Sequence, residues 1–369
     1  LETLRELAVD WMRAHPLAPL ENEVILVQSN GIAQWLQMAL AADPAQGGCG
    51  IAAALDVQLP ARFLWHSYRG VLGRDSVPEQ SPLDKQPLTW RLMRLLPALQ
   101  DQPDFAPLKR FLADDHDCRK RYQLAVRLAD LFDQYQVYRA DWLNDWAAGR
   151  DHIGLARTGA RPLDDEERWQ PALWRAVLAD VGAERLSDSR AGIHPRFVQH
   201  LLDCDSRPAS LPRRVIVFGI SSLPAQTLEA LAVIGRFSQV LLCVLNPCEY
   251  HWGDIVADQD LLRHEYRRQQ RRPGTPLQLD ENTLHQHAHP LLAAWGKQGR
   301  DYINLLDQHD ERAGYEARFA NIAGGRVALF EAPAGNTLLQ QLQQDILQLR
   351  PLAESRALWP AVDTARDHS

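Results

Sequence analysis

Cysteine is scarce in this chain: five in 369 residues, at Cys49, Cys118, Cys204, Cys243 and Cys248. An odd, widely spaced set argues against a disulfide scaffold and fits a reducing cytosol. Long apolar runs are absent too. No stretch approaches about 18 consecutive apolar residues, so no transmembrane helix is expected. Positive charge is in deficit, with 40 Lys and Arg against 47 Asp and Glu, a net charge of −7. A protein that coats DNA non-specifically carries the opposite sign, so any nucleic-acid contact must come from local patches or a lined channel. The chain opens on Leu1 rather than Met, carries no basic-then-apolar signal pattern, and reads as a piece of something longer.

Catalytic signatures are also missing. Nucleotide hydrolysis needs a glycine-rich loop whose backbone N–H groups wrap phosphate, followed by Lys and Ser or Thr. No G-x-x-x-x-G-K-[ST] occurs; Gly296-Lys297-Gln298-Gly299-Arg300 has some of the residues but not the spacing. It also needs an acid at the end of a buried strand to hold Mg²⁺. The run Val215–Phe218 leads instead into Gly219-Ile220-Ser221-Ser222. There is no G-x-S-x-G nucleophile motif. Three groupings have a loose metal-ligand character: Cys243, Cys248 and His251; His285, His287 and His289; and Asp114, Asp115 and Asp117. Each reads better as core, solvated loop or helix cap.

What is present has α/β logic. Val24 to Val27 is short, apolar and β-branched, which suits a strand buried on both faces of a parallel sheet. Ser29-Asn30-Gly31 follows as a turn with N-cap chemistry. Ile32, Trp35, Leu36, Ala39 and Leu40 then fall at helical spacing. A second strand is expected over 51–57 and a second helix over 61–71. From Gly73 to about Asp203 the patterns are helical, with no convincing strand. The clearest runs from Arg121 to Arg139, with Leu124, Leu128, Leu131, Tyr135 and Tyr138 on one stripe and Asp130, Asp133, Gln134 and Val137 on another. Sheet character returns at Val215–Phe218 and Val240–Leu245. A polar excursion over 247–290, a helix over 291–306, a strand over 326–330 and a helix over 337–349 complete the reading. The expected architecture is one α/β domain, residues 1–73 and 207–369, interrupted by an all-α insertion over 74–206.

Several polar groups could touch a nucleic acid. Gln28 and Gln34 flank the first strand-to-helix turn, and Asp130 and Asp133 share a helix face. An amide can donate and accept at a base edge, and a carboxylate can accept from the cytosine amino group. Trp65 could stack on an unpaired base. Arg263, Arg267, Arg268, Arg271 and Arg272 form a dense basic run, a candidate for phosphate contact.

Six segments together carry a family resemblance: ILVQSNGIAQWLQMAL from Ile25, LPARFLW from Leu59, ADLFDQYQVYRADWL from Ala129, VFGISSLP from Val217, NPCEYHWGDI from Asn246 and PLLAAWGKQGRDYI from Pro290. On them the chain resembles the amino-terminal third of the RecC family, the gamma subunits of bacterial exodeoxyribonuclease V (the RecBCD complex). The resemblance implies a degenerate superfamily 1 helicase-like fold, with a RecA-like parallel-sheet domain of the P-loop NTPase type and a helical insertion. It implies a non-catalytic DNA-binding and scaffolding subunit in the bacterial cytoplasm, with RecB-like and RecD-like partners that use ATP and Mg²⁺. The subunit would line the channel of the 3′-ending single strand and help to recognise the Chi sequence during double-strand break repair. By local matching the Chi-reading positions are Gln28, Asn30, Gln34, Leu59, Trp65, Asp130, Leu131, Asp133, Arg139 and, by a looser match, Arg190. Asn30 stands where the family pattern has Thr. Two other readings remain beside this one: an active ATP-dependent helicase or exonuclease subunit, and a protein-interaction scaffold with no DNA contact.

Overall fold

In the computed structural model, the two strongest apolar runs become neighbouring central strands. The structure describes residues 1–155, 159–182, 188–250, 252, 290–307, 330–333, 337–350 and 354–355. Along the chain these form α1 (Glu2–Ala14), β1 (Glu23–Leu26), α2 (Asn30–Ala41), β2 (Leu55–Gln58), α3 (Pro60–Leu72), α4 (Lys85–Leu99), α5 (Ala106–Leu112), α6 (Arg119–Tyr138) and α7 (Ala140–Ala147). There follow β3 (His152–Leu155), β4 (Gly159–Pro162), α8 (Trp169–Val181), α9 (Arg190–Leu202), β5 (Arg214–Phe218), α10 (Ala225–Ile234), β6 (Gln239–Cys243), α11 (Pro290–Trp295), α12 (Lys297–Asp307) and α13 (Leu338–Leu347). They pack as two compact units. One comprises residues 1–60, 212–223 and 238–369, the other residues 61–211 and 224–237.

The first unit holds a four-stranded sheet in the order β2-β1-β5-β6, parallel throughout. All five residues of β5 are buried and three of the four in β1, as expected for strands covered on both faces. On one face Ala8 and Val9 of α1 and Leu36 and Leu40 of α2 pack on Ile25, Val27, Ile216 and Phe218. The strand expected over 51–57 starts later, at Leu55. Ala54 takes φ of +54°, which interrupts the extended run, and Ile51 is left 76% exposed.

The helix expected over 291–306 breaks at Gly296. A Cβ there would lie 2.3 Å from the Leu292 carbonyl oxygen and 2.8 Å from the Trp252 ring, and one at Gly299 would lie 3.0 Å from the same indole. The two glycines thus let α12 approach Trp252, which is buried with Cys248, Leu292 and Leu349. Gly296→Ala should cost about 1–3 kcal/mol through overpacking, read as a lower urea midpoint with an unchanged slope. The expected strand over 326–330 falls on residues that, up to 329, lie outside those described, and Phe330 is in irregular structure.

The second unit is mainly helical, but it is not all-α as the sequence suggested. β3 and β4 form an antiparallel hairpin inside it. The strands are four residues long, of mixed polarity and interrupted by Gly154, so they lack the alternation that marks a strand in sequence. The helices fix them in place. Trp146 Nε1–H donates to the His152 carbonyl at 2.9 Å, and Trp142 Nε1–H donates to the Gly154 carbonyl at 2.9 Å. Leu88, Leu92 and Leu96 of α4, Ala125, Leu128 and Phe132 of α6, and Trp146 and Trp174 form the core. Asp115 and Asp117 accept from the backbone N–H groups of Lys120, Arg121 and Arg119, so this part of the acidic trio caps α6.

Candidate nucleic-acid interface

In the parallel sheet the chain passes from β1 to β2 on one side, then returns to add β5 on the other side of β1. The strand order reverses between β1 and β5, and the carboxyl ends there are where such sheets hold ligands. Gln28, Ser29 and Asn30 follow β1, Leu59 follows β2, and Ser221 and Ser222 follow β5. Ser29 is the N-cap of α2, its Oγ accepting from Ile32 N–H at 3.3 Å. Ser221 Oγ lies 3.5 Å from Gln28 Oε1, and Gln298 Nε2 donates to Ser222 Oγ at 2.8 Å. Gln34 lies one turn along α2 from Asn30, and Gln28, Asn30 and Gln34 are all exposed. The switch point is therefore furnished with amides and hydroxyls. None of the residues that directly follow these strands, 27–30, 59 and 219–222, is Lys, Asp or Glu. Ser221 and Ser222 had no binding signal in sequence, because only the parallel register of β1 and β5 brings Ser221 beside Gln28, and Gln298 reaches Ser222 from α12.

In the helical unit, Asp133, Arg190 and Asp84 form a cluster. Arg190 donates from Nη2 to Asp84 Oδ1 at 3.1 Å, and its Nη1 lies 3.7 Å from Asp133 Oδ1. One turn before Asp133, the Asp130 carboxylate takes Lys85 Nζ at 2.5 Å and Gln134 Nε2 at 3.3 Å. The two aspartates of α6 are tuned in opposite directions. The hydrogen bond from Lys85, then its charge, hold Asp130 below the usual carboxylate range. Burial above all, with the charges of Asp84 and Asp130, holds Asp133 above it, while Arg190 pulls the other way. Leu131 lies between them, half-buried. Asp84 and Lys85, at the start of α4, escaped the sequence reading; nothing local marks them, since their partners lie about 45 positions along the chain or more.

Two further expected residues have structural partners. Trp65 Nε1–H lies 3.2 Å and 3.0 Å from the carbonyls of Pro78 and Glu79, and its ring meets Tyr68 edge-on. Tyr68 in turn bonds His194, one turn beyond Arg190 on α9. Arg139 lies at the end of α6, away from the aspartate pair. Its guanidinium forks onto Asp141 at 3.0 and 2.8 Å, donates to the Gly154 carbonyl and stacks 3.8 Å from the Trp142 ring. Arg139 therefore clamps β3. Arg139→Ala should cost about 1–2 kcal/mol and speed amide exchange in the hairpin before any effect on a ligand is considered. Arg263, Arg267, Arg268, Arg271 and Arg272 lie outside the described residues, as do His251, His285, His287 and His289. Among the described residues, no group of three or more His, Cys, Asp or Glu is placed to hold a metal ion, and no helix is long and apolar enough to cross a membrane.

A mixed α/β protein with a parallel sheet, an amide-furnished switch point and a mainly helical unit bearing a half-buried carboxylate is the class these features define. Within that class the family is shown by comparison. A model of the RecC N-terminal domain matches residues 1–349, and the chain belongs to that family. The RecBCD enzyme subunit RecC of Escherichia coli K12 is 38% identical over 97% of this chain, and that of Haemophilus influenzae 34% identical over 90%. The Mycobacterium tuberculosis H37Rv subunit is 26% identical over 95% of it. The chain spans about 30% of the length of these relatives, from 29% to 31%.

Proposed function

We propose that this chain is a DNA-contacting, non-catalytic part of a RecBCD-type helicase and exonuclease, working in double-strand break repair with RecB-like and RecD-like subunits. Its α/β unit is a worn superfamily 1 helicase core with the helical unit as its insertion. It meets the 3′-ending single strand and reads bases of the Chi sequence through Gln28, Asn30, Gln34, Leu59, Trp65, Asp130, Leu131, Asp133 and Arg190. ATP and Mg²⁺ are used by the partner subunits. The observation that carries this reading is Asp133. It is a half-buried carboxylate whose pKa burial and the neighbouring Asp84 and Asp130 hold above its ordinary range, with Arg190 3.7 Å away. Such a group has the chemistry to accept from a base amino group.

The amides and hydroxyls that follow β1 and β5 support the same reading, since an amide can donate and accept at a base edge. The test is Asp133→Ala in the full assembly, read as Chi-dependent attenuation of DNA degradation. The reading expects attenuation to fall; unchanged attenuation removes Asp133 from the reader.

A further inference from the structure

Helices α4 and α6 run antiparallel: Lys85 meets Asp130 near one end of their seam, and the Trp90 and Tyr122 rings meet further along it, 5.9 Å between centroids. Trp90 is 60% exposed and Tyr122 45% exposed, although the opposite faces of both helices fill the core. Exposed aromatics scattered singly are ordinary; here two are brought together from two helices into one exposed apolar surface. Charge marks the same place. Helix α4 carries three basic residues and no acid. Helix α6 carries four basic residues before its first acid, Asp130. This stands in a chain of net charge −7. Acids elsewhere answer part of it: Asp180 takes Arg91 and Arg94, and Asp114 takes Lys120. Arg119, one turn before Tyr122 on α6, has no acid within ion-pair distance among the described residues and is exposed, while the charge of Arg127 acts on Asp130.

We propose that Trp90 and Tyr122 form a base-stacking platform for single-stranded DNA, with Arg119, one turn before Tyr122 on α6, as its phosphate contact. Stacking on aromatic faces with nearby arginines holds a strand without regard to sequence. The occupant is an unpaired polynucleotide rather than a protein helix, because Arg119 sets positive charge, with no acid at ion-pair distance among the described residues, one turn from Tyr122. The platform rests on the reading of the chain as a single-strand contact and extends it. Tyr122 and Asp133 are eleven residues apart on α6, about three turns or ~16 Å, and so lie on nearly the same side of the helix.

The test uses full-length subunit in the assembled complex and an oligothymidylate in which some bases are iodouracil, photocrosslinked and mapped by peptide. Adducts are expected on the peptides containing Trp90 or Tyr122. Trp90→Ala with Tyr122→Ala should cut their yield roughly tenfold, Trp90→Phe should keep most of it, and Arg119→Gln should reduce the salt dependence of the yield by about one counterion. Trp90→Phe and Arg119→Gln are surface changes that leave the fold intact. Adducts at the Asp133 peptide with none at Trp90 or Tyr122 overturn the platform and leave the reading of Asp133 standing. No adduct at either place overturns both. Failure of the alanine variant to assemble, with its melting temperature unchanged, identifies the face as a subunit interface and overturns the platform.

Discussion

Arg214→Met lowers the unfolding free energy by about 3–5 kcal/mol at neutral pH, the range for removing one partner of a buried ion pair. Arg214 opens β5 and is 2% exposed, and Glu23 opens β1 beside it. Its Nη1 lies 3.5 Å from Glu23 Oε1, and its Nη2 donates to the His15 carbonyl just past α1. One guanidinium thus ties a helix and two central strands at the amino end of the sheet. The geometry leaves Arg214 Nε and Nη1 and Glu23 Oε2 without a hydrogen bond, so the pair offsets its desolvation poorly. Without Arg214, however, a buried carboxylate has no counter-charge. Burial already raises the Glu23 pKa above its ordinary 4.5, against the pull of Arg214. An acid with a raised folded pKa binds its proton more tightly when folded, so stability falls as pH rises through the unfolded value. In the variant that fall steepens. The loss relative to wild type therefore shrinks below pH about 4, where the carboxyl is protonated. Arg214→Met with Glu23→Gln should recover most of it. Urea titrations at both pH values check this, and an equal loss at both would trace the effect to packing instead.

On the proposed reading, Asp133→Ala is expected to abolish most of the response to Chi while leaving DNA unwinding intact. One good bidentate base contact is worth about 1–3 kcal/mol of discrimination, or roughly 5- to 150-fold. Asp133→Asn separates function from stability. It keeps the shape and one acceptor oxygen but loses the charge. Because burial and its acidic neighbours raise the Asp133 pKa, ionised Asp133 costs stability at every pH above about 4. Asp133→Asn is therefore expected to raise the urea midpoint at pH 7 and to impair reading of Chi. Arg190 keeps Asp84 as its partner, so no charge is orphaned. Opposite signs for stability and function mark a residue kept for what it binds. A fall in both would make Asp133 a structural partner of Arg190.

The elements legible in the sequence were those whose pattern is set by burial. β1 and β5 show as apolar runs because both faces of each are covered, and α2 shows as an apolar stripe because only one of its faces is. The position of Gln28 followed from the same logic, since a buried parallel strand presents its next residue at the carboxyl edge. The β3–β4 hairpin was hidden because indole N–H groups of α7 hold it rather than its own apolar pattern. The break at Gly296 was hidden because it answers to Trp252, 44 positions earlier. At the candidate site Asp130 and Asp133 were legible as a shared helix face. Their opposite tuning was not, since it depends on Lys85, Asp84 and Arg190, brought in from two other helices. Arg139 was legible as a cation but not as one already committed to Asp141 and Gly154.

The proposed function requires that bases of a threaded strand come within reach of these polar groups. A structure of the full assembly holding a Chi-containing single strand measures that directly. Base edges within hydrogen-bond distance of Asp133 and Gln28, with no nucleotide triphosphate seated at the switch point beside Ser221, is the predicted result. A strand that passes neither residue, or a Mg-nucleotide bound at those strand ends, would contradict it.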